Sequence, residues 1–182
     1  YGNHEELYGL LRTGEADLIL NDQRRAFSDE YVNLLLTTCE SYVEVSARSP
    51  LAQLSQITPA ELKNIPCILV ASAAQRETEQ EYYRDVIGFQ GEFLYAENLE
   101  EARLMVVGRK GFLPVEETDA PAGASIARIP LVRGEEPILW NYCAFWKKDN
   151  SGYYVEEFAE LLKGQFEDES DPEKPRNEKR DR

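Results

Sequence analysis

Histidine and the common catalytic motifs are scarce in this sequence. The one histidine, His4, lies at the start of an expected helix and is interpreted as solvent-facing. The sequence has no Ser/His/Asp pattern, no H-E-x-x-H motif and no phosphate-binding loop. Acidic pairs such as Glu5-Glu6 and Glu116-Glu117 are typical of solvated helix or loop faces. We therefore expect no catalytic residue, no cofactor and no metal site.

Cysteine and long apolar runs are also rare. Three cysteines lie far apart in apolar segments, at Cys39, Cys67 and Cys143. An odd number without C-x-x-C spacing fits ordinary buried thiols in a reducing compartment, with a redox pair as the alternative. No apolar run approaches the ~18 residues of a membrane span, and no signal-peptide pattern is present. We expect a cytoplasmic protein without a membrane partner, although the second absence carries little weight because the chain begins at Tyr1.

The sequence has fewer basic than acidic residues. The 182 residues carry a formal charge of −14. Residues 165–182 contain seven acids and five bases and contribute −2, which leaves −12 for residues 1–164. A body this acidic repels a phosphate backbone, and no basic cluster compensates. We do not expect this chain by itself to bind nucleic acid.

What the sequence does contain is an alternation of helix and strand signals. Capping-box patterns begin helices at Asn3, Thr58 and Asn98, each with a glutamate three residues later. Gly14 and Gly88 end helices, the second covering roughly 76–87. The strand signals are "ADLIL" (16–20) with an Asn21-Asp22 turn after it, "YVNLLLT" (31–37), "YVEVSA" (42–47), "CILVA" (67–71), "GEFLYA" (91–96), "ASIARIPLV" (124–132) and "PILWNYCAFWKK" (137–148). This alternation predicts an α/β sheet with helices on its faces.

Two further segments complete the pattern. In "EARLMVVGRKGFLPVEE" (101–117), Gly108 and Gly111 let the chain leave a helix and re-enter a sheet tightly. A last amphipathic helix places Val155, Phe158, Ala159, Leu161 and Leu162 inward. Residues 167–182 have no apolar side chain to bury and read as a disordered tail.

Four segments in register resemble LysR-type transcriptional regulators. "NHEELYGLLRTGEADLIL" is similar to a family helix that ends at glycine before a strand, and "SPLAQLSQITPAELKNIPCILV" to the "hPLa…is…dL…pfI" segment. "NLEEARLMVVGRKGFLPVEE" resembles a helix followed by "G-x-G-x-x-x-lP", and "ILWNYCAFWKKDNSGYYVEEFAELLK" a closing strand, "W-x-K-D" turn and last helix. The resemblance covers about residues 2–163.

The resemblance implies the fold of type 2 periplasmic binding proteins, an α/β fold of two lobes joined by two crossover strands. Lobe I would comprise residues 1–46 and 136–163, lobe II residues 47–135, and the tail residues 164–182. The crossings would lie near 43–47 and 132–139. The winged helix-turn-helix, the linker helix and the first strand–helix–strand of lobe I have no counterpart in this sequence.

The resemblance favours an effector-sensing domain that binds a small-molecule inducer in the cleft between the lobes. The alternatives are an extracytoplasmic solute-binding protein of the same fold and an enzyme on a related scaffold. Full-length relatives would form homodimers or tetramers and contact DNA only through the absent N-terminal domain. Tyr82, Val86 and Ile87 would contribute to the dimer contact, with core packing as the alternative.

The effector site is expected where strands end and helices begin, because free backbone N–H groups point inward there. The predicted effector-binding residues are Asn21, Asp22, Tyr42, Ser72, Ala73, Ala96, Glu97 and Asn98. Alternatives are open at three of them: Asn98 as a simple helix cap, Ser72 as a plain loop residue, and Tyr42 as a packed aromatic. Few cations accompany these loops, so we expect a small polar effector whose charge the site does not strongly favour.

Overall fold

The computed structural model describes residues 4–23, 29–117, 119, 123–150 and 152–169. The α-helices of these residues are α1 (His4–Thr13), α2 (Arg76–Glu81), α3 (Leu99–Val107) and α4 (Tyr153–Glu169). The strands are β1 (Ile19–Asp22), β2 (Tyr31–Ser46), β3 (Cys67–Val70), β4 (Phe93–Ala96), β5 (Leu113–Glu116), β6 (Ile126–Pro130), β7 (Val132–Arg133), β8 (Glu136–Pro137) and β9 (Leu139–Lys147). Short 3₁₀ helices cover Pro50–Gln53, Pro59–Leu62 and Lys148–Asn150, and a π-helix covers Tyr82–Ile87.

Internal contacts divide the chain into two compact units. Unit 1 comprises residues 1–38 and 141–182, and unit 2 comprises residues 39–140. The chain passes between them within β2 and again within β9. Whether these units are the two expected lobes stays a prediction.

Unit 1 is a sheet with a helix on each face. β1 pairs antiparallel with β9, with Ile19 opposite Phe145, and β9 neighbours β2. Helix α1 packs on one face, where Leu11, Ile19, Cys143 and Phe145 form a buried cluster. Helix α4 packs on the other, where the cluster is Leu36, Ala144, Trp146 and Ala159. The two helices lie on opposite faces because successive residues of β9 point to alternate sides.

Unit 2 holds the remaining strands and α3. The second half of β2 pairs antiparallel with β5 and β6. Strands β3 and β4 are parallel, with Val70 opposite Ala96. Helix α3 packs on this sheet through a buried core of Ile68, Ala96, Ala102, Val106, Leu113 and Val115. The shared core fixes where β3 and β4 end relative to the start of α3.

The main helices and strands are where the sequence predicts them, with four corrections. Phe158 and Leu161 of α4, which the sequence predicts to point inward, are 53% and 65% exposed. Asn21 and Asp22 lie in β1 and not in a turn, because they pair with Cys143 and Tyr142 of β9. Segments 31–37 and 42–47 are one continuous strand. The helix over 76–87 changes from α to π after Glu81.

Helix ends follow the predicted chemistry. Gly14 and Gly88 have φ of 76° and 101°, a conformation that favours glycine. The Thr58 capping box is present, with Thr58 N donating to Glu61 Oε2 at 2.8 Å. Asn3 lies outside the described residues. Helix α4 continues to Glu169 and includes the first part of the expected tail, while residues 170–182 also lie outside them.

Candidate functional site

Five of the eight predicted site residues meet at one sheet edge in unit 2. Because β3 and β4 are parallel and Val70 lies opposite Ala96, both strands end at the same edge. The Ala71 N–H donates to the Ala96 carbonyl at 3.2 Å and holds the two chain exits together. The edge therefore carries Ser72, Ala73, Ala96, Glu97 and Asn98.

Ser72 begins a tight turn in front of α2. Its backbone N–H and its hydroxyl both donate to Gln75 Oε1, at 3.2 and 2.6 Å. Ser72 and Ala73 are both exposed. A ligand at this turn would replace the Gln75 carbonyl oxygen as the acceptor of the Ser72 N–H.

The turn after β4 has two internal hydrogen bonds. Asn98 Oδ1 accepts from the Glu101 N–H at 2.9 Å, so Asn98 caps α3. Glu101 Oε2 accepts from the Glu97 N–H at 2.8 Å. The backbone N–H groups of Ser72 and Glu97 are thus both bonded to side chains of the protein itself.

Burial differs between two of the predicted contacts, Ala96 and Tyr42. Ala96 is only 2% exposed and belongs to the unit 2 core, so its side chain cannot touch an effector at the edge. Tyr42 is half-buried in β2 and packs against the same core. Burial raises the pKa of Tyr42, as do its hydrogen bond to Glu40 Oε2 at 3.0 Å and the Glu40 charge. This packing supports the packed-aromatic interpretation, and an effector contact at Tyr42 stays a prediction.

Asn21 and Asp22 belong to unit 1 and are half-buried in β1. Asn21 Oδ1 accepts from the Asp22 N–H at 3.0 Å. The Gln23 N–H donates to the Asn141 carbonyl at 2.8 Å, so pairing with β9 extends beyond the strand. These residues occupy a paired strand end and not a flexible turn.

The charge at the unit 2 edge is mainly negative. Glu97 and Glu101 are exposed there. The Arg76 guanidinium lies 4.8 Å from the ring centroid of Tyr95, and this ring hydroxyl bonds to Gln80 at 2.6 Å. Arg24 and Arg25, which follow Asn21-Asp22 in the sequence, lie outside the described residues.

The expected dimer contact through Tyr82, Val86 and Ile87 is wrong for two of these three residues. Tyr82 is 8% exposed and Ile87 is 4% exposed, while Val86 is half exposed. The Tyr82 ring packs against Tyr83 and Trp140 at centroid distances of 5.3 and 5.5 Å. These aromatic contacts belong to the core of unit 2.

A separate open groove of about 790 Å³ lies elsewhere in unit 2. Thr58, Lys63, Asp85, Gly88 and Arg133 are among its lining residues, and none of the predicted site residues is. The Arg133 guanidinium in it donates to the carbonyls of Val86 and Ile87 at 2.9 and 3.3 Å. This arginine therefore caps the end of the π-helix.

A buried ion cluster was not predicted from the sequence. Glu44 of β2 is fully buried and accepts from Arg103 Nε and Nη2, each at 2.8 Å. Arg128 Nη2 also donates to it at 2.8 Å. The arginines lie 59 and 84 residues away in the chain, so only the isolated charge in "YVEVSA" hinted at this cluster. It joins β2, α3 and β6.

Two features are absent from the described residues. They contain no group of three or more histidine, cysteine or acidic side chains arranged to hold a metal ion. In the same part of the chain, no helix is long and apolar enough to cross a membrane.

The family model for the LysR substrate binding domain matches residues 1–167. The chain belongs to this family. A comparison with curated proteins finds no significant match. The LysR substrate binding domain has the type 2 periplasmic-binding-protein-like α/β fold, so the predicted family and fold class are confirmed.

Solved structures of the same fold are similar to this LysR domain at low sequence identity. The reduced form of OxyR superposes with a TM-score of 0.70 at 16% identity, covering 93% of this chain and 81% of that one. The C-terminal domain of a probable LysR family transcriptional regulator from Rhodococcus sp. RHA1 gives 0.66 at 20% identity, covering 88% and 80%. Full-length OxyR C199D from Pseudomonas aeruginosa gives 0.63 at 19% identity, covering 90% of this chain and 54% of that one. The LysR domain here thus spans about half of that full-length regulator. At the level of the family, these are domains of transcriptional regulators and not enzymes.

Proposed function

We propose that this LysR domain is the effector-sensing part of a DNA-binding transcriptional regulator. The observation that carries the proposal is the family match over residues 1–167. No observation favours an extracytoplasmic solute-binding protein. The chain carries a net charge of −14, which repels a phosphate backbone, so we assign DNA contact to a separate helix-turn-helix domain. We infer that the full-length regulator is a homodimer or tetramer that acts in the cytoplasm.

We propose that the effector contacts the edge where β3 and β4 end. Ser72, Glu97 and Asn98 are exposed there, and the Ala73 backbone lies between Ser72 and α2. Asn21 and Asp22 of unit 1 remain in the proposed set. Gln75 and Glu101 each accept a hydrogen bond from a backbone N–H at this edge, so an effector that binds these N–H groups must displace the two side chains.

Two substitutions test this site. Ser72→Ala and Asn21→Ala should each weaken effector binding about tenfold, which corresponds to the loss of one hydrogen bond of about 1.4 kcal/mol. Neither change should unfold the protein, because Ser72 is exposed and Asn21 is only half-buried. Binding is measured by NMR titration of the ¹⁵N-labelled chain with candidate small molecules.

Ser55→Ala is the matched control, since Ser55 is an exposed loop serine away from β3 and β4. This control should bind effector like the unchanged protein. An effector that shifts no backbone signal near residues 21–22, 72–73 or 97–98 would show that the site lies elsewhere. Such a result would leave the family assignment intact.

A further inference from the structure

The open groove of unit 2 has a charge opposite to that of the folded body. Among the described residues that line it, the charged ones are Lys63, Asp85 and Arg133. Two positive charges and one negative charge give the groove a net charge of +1, within a body that carries −12. A concave surface of one sign raises the local concentration of ligands of the opposite sign. The groove therefore favours a ligand with a single negative charge.

Arg133 is held in the groove by the end of the π-helix. Its Nη2 donates to the carbonyl oxygens of Val86 and Ile87 at 2.9 and 3.3 Å. A helix leaves the carbonyls of its last turn without partners, and the arginine supplies them here. The Nη1 and Nε groups of Arg133 donate to no acceptor among the described residues. This guanidinium can therefore bind a carboxylate without first giving up a bond to the protein.

Two further donors of the groove are also open. The Lys63 ammonium and the Gln90 amide make no hydrogen bond and no ion pair with any described residue, and both side chains are exposed. Lys63 lies in the loop before β3, Gln90 in the loop before β4 and Arg133 in β7. Three separate segments of unit 2 thus bring hydrogen-bond donors to one groove.

Carboxylates in and near the groove limit the charge of a ligand. Asp85 lies in the lining itself. Glu61 accepts hydrogen bonds from the N–H and the hydroxyl of Thr58, both at 2.8 Å, and so already has partners. Glu136 lies opposite Arg133 in the pairing of β7 with β8, but no ion pair joins these two described side chains. A second negative charge on the ligand would face these acids, so the groove suits one carboxylate and not two.

Part of the wall is apolar. Pro59, Ala60 and Val86 line the groove, and Val86 is 50% exposed. A ligand that covers such side chains removes apolar surface from water, which favours binding. The charges and the wall together fit a carboxylate that is joined to an apolar body.

The groove lies away from the candidate effector edge. Lys63 and Gln90 each come shortly before a strand, so the groove lies near the ends at which the parallel strands β3 and β4 begin. The candidate edge is where the same strands end. We propose that the groove is a second ligand site of this LysR domain, which binds a small monocarboxylic acid with an alkyl or aryl body through Lys63 and Arg133. The proposal does not depend on which effector binds at the edge.

NMR titration of the ¹⁵N-labelled chain with 3-phenylpropionate and with hexanoate tests the proposal. Both acids should shift the amide signals of residues 60–63, 85–88 and 133–134. The uncharged alcohols 3-phenylpropanol and 1-hexanol should bind about tenfold more weakly, because they lack the carboxylate. Ser72→Ala should leave the binding of both acids unchanged, so failure of the groove and failure of the effector edge can be told apart.

Substitutions of the charged residues should act in opposite directions. Lys63→Gln and Arg133→Gln should each weaken the binding of both acids about tenfold. Asp85→Asn should tighten it, because an opposing charge is removed. Lys110→Gln is the matched control, since Lys110 is an exposed lysine of unit 2 outside the groove lining, and it should bind like the unchanged protein. If Arg133→Gln unfolds the chain by uncapping the π-helix, Lys63→Gln and Asp85→Asn decide the outcome.

Three results would overturn the proposal. The first is that neither acid moves the groove signals. The second is that the alcohols bind as tightly as the acids, or that Lys63→Gln and Asp85→Asn change nothing, since the charges of the groove would then play no part. The third is tighter binding of phenylsuccinate, which carries two carboxylates, than of 3-phenylpropionate.

Discussion

At the scale of single residues, Glu44 is a fully buried carboxylate that accepts hydrogen bonds from two arginines. Burial alone would raise its pKa, but the hydrogen bonds and positive charges of Arg103 and Arg128 outweigh burial and hold the pKa below its usual range. The same contacts raise the pKa of Arg103. Both guanidinium groups are mostly covered, with 18% and 21% of their side chains exposed. Removing the carboxylate would take away the buried acceptor that the two arginines share, with Asp119 as a remaining negative charge near Arg103.

We expect Glu44→Gln to lower the free energy of unfolding by about 2–4 kcal/mol at pH 7. Because the folded pKa is depressed, the carboxylate stabilises the protein above its unfolded pKa of about 4.3, and this contribution is lost as the pH falls through the folded value. The loss caused by Glu44→Gln should therefore shrink on acidification. Urea denaturation at several pH values measures it, with the exposed Glu92→Gln as control. A loss that is constant from pH 7 to pH 3 would contradict this account.

The cysteines show how burial decides reactivity. Cys67 and Cys143 are buried, and burial raises the pKa of both thiols, most strongly that of Cys67. A raised pKa leaves little of the reactive thiolate at neutral pH. All three cysteines are free thiols, and Cys39 is half-buried. The geometry thus supports the ordinary buried thiol at Cys67 and Cys143, as expected from their apolar sequence context.

At the scale of elements, the link between α3 and β5 depends on one close approach. A Cβ on Gly111 would lie 2.2 Å from the Pro66 carbonyl oxygen and 3.2 Å from Ile68 Cγ1. Gly108 differs, since its φ is −71° and a Cβ there would meet nothing closer than 3.3 Å. The left-handed residue of this link is Arg109, with φ of 58°. Of the two glycines that the sequence singles out, only Gly111 is required by space.

We expect Gly111→Ala to destabilise the protein by about 1–3 kcal/mol or more, because the methyl group overlaps a backbone oxygen. Gly108→Ala is the matched control and should change stability by less than about 1 kcal/mol. Thermal unfolding of both variants measures the difference. Equal losses of stability in the two variants would show that the backbone near Pro66 can move away from the added methyl group at residue 111 without a free-energy cost.

Elements with local signals were predictable from the sequence. The Thr58 and Asn98 caps, the helix-ending Gly14 and Gly88, and the buried run of β3 depend on neighbouring residues only. The errors have non-local causes. Asn21 and Asp22 have turn-forming side chains, but pairing with β9, some 120 residues away, extends them into a strand. The arginine partners of Glu44 could not be predicted either, because they lie 59 and 84 residues away in the chain.

The position of the candidate site at the ends of β3 and β4 could be predicted from the sequence, but the burial and hydrogen bonds of its side chains could not. That β3 and β4 would end together follows from two parallel strands, each followed by a helix. The burial of Ala96 depends on α3, which packs above it. The bonds from Ser72 to Gln75 and from Glu97 to Glu101 depend on rotamers that no sequence pattern fixes. The sequence therefore identified where the edge lies, and the structure shows which of its donors are already bonded.

At the scale of the whole molecule, negative charge limits what the domain can bind. The folded body of residues 1–164 carries −12. At the candidate edge, Glu97 and Glu101 add to this field, and the Arg76 guanidinium lies over the Tyr95 ring. The positive end of a helix favours one carboxylate by only about 0.3–2 kcal/mol. The Glu101 carboxylate already accepts a hydrogen bond from the Glu97 N–H at this end of α3.

We therefore expect the effector to be neutral, zwitterionic or singly charged, and to offer hydrogen-bond donors to Glu97 and Glu101. A thermal-shift screen of amino acids, aromatic acids and sugar phosphates measures this preference. A ligand present at 100 times its Kd adds about 2.7 kcal/mol to the free energy of unfolding, or roughly 5–10 °C in Tm for a domain of this size.

Glu101→Gln should weaken the binding of a ligand that carries hydrogen-bond donors and strengthen the binding of an anionic ligand, because it removes a competing carboxylate at the Glu97 N–H. The exposed Glu92→Gln is the control for a general change in net charge. Strong, selective stabilisation of the unchanged protein by a di- or tri-anion would refute the expectation, since such binding requires a cluster of cations that the described edge of β3 and β4 does not contain.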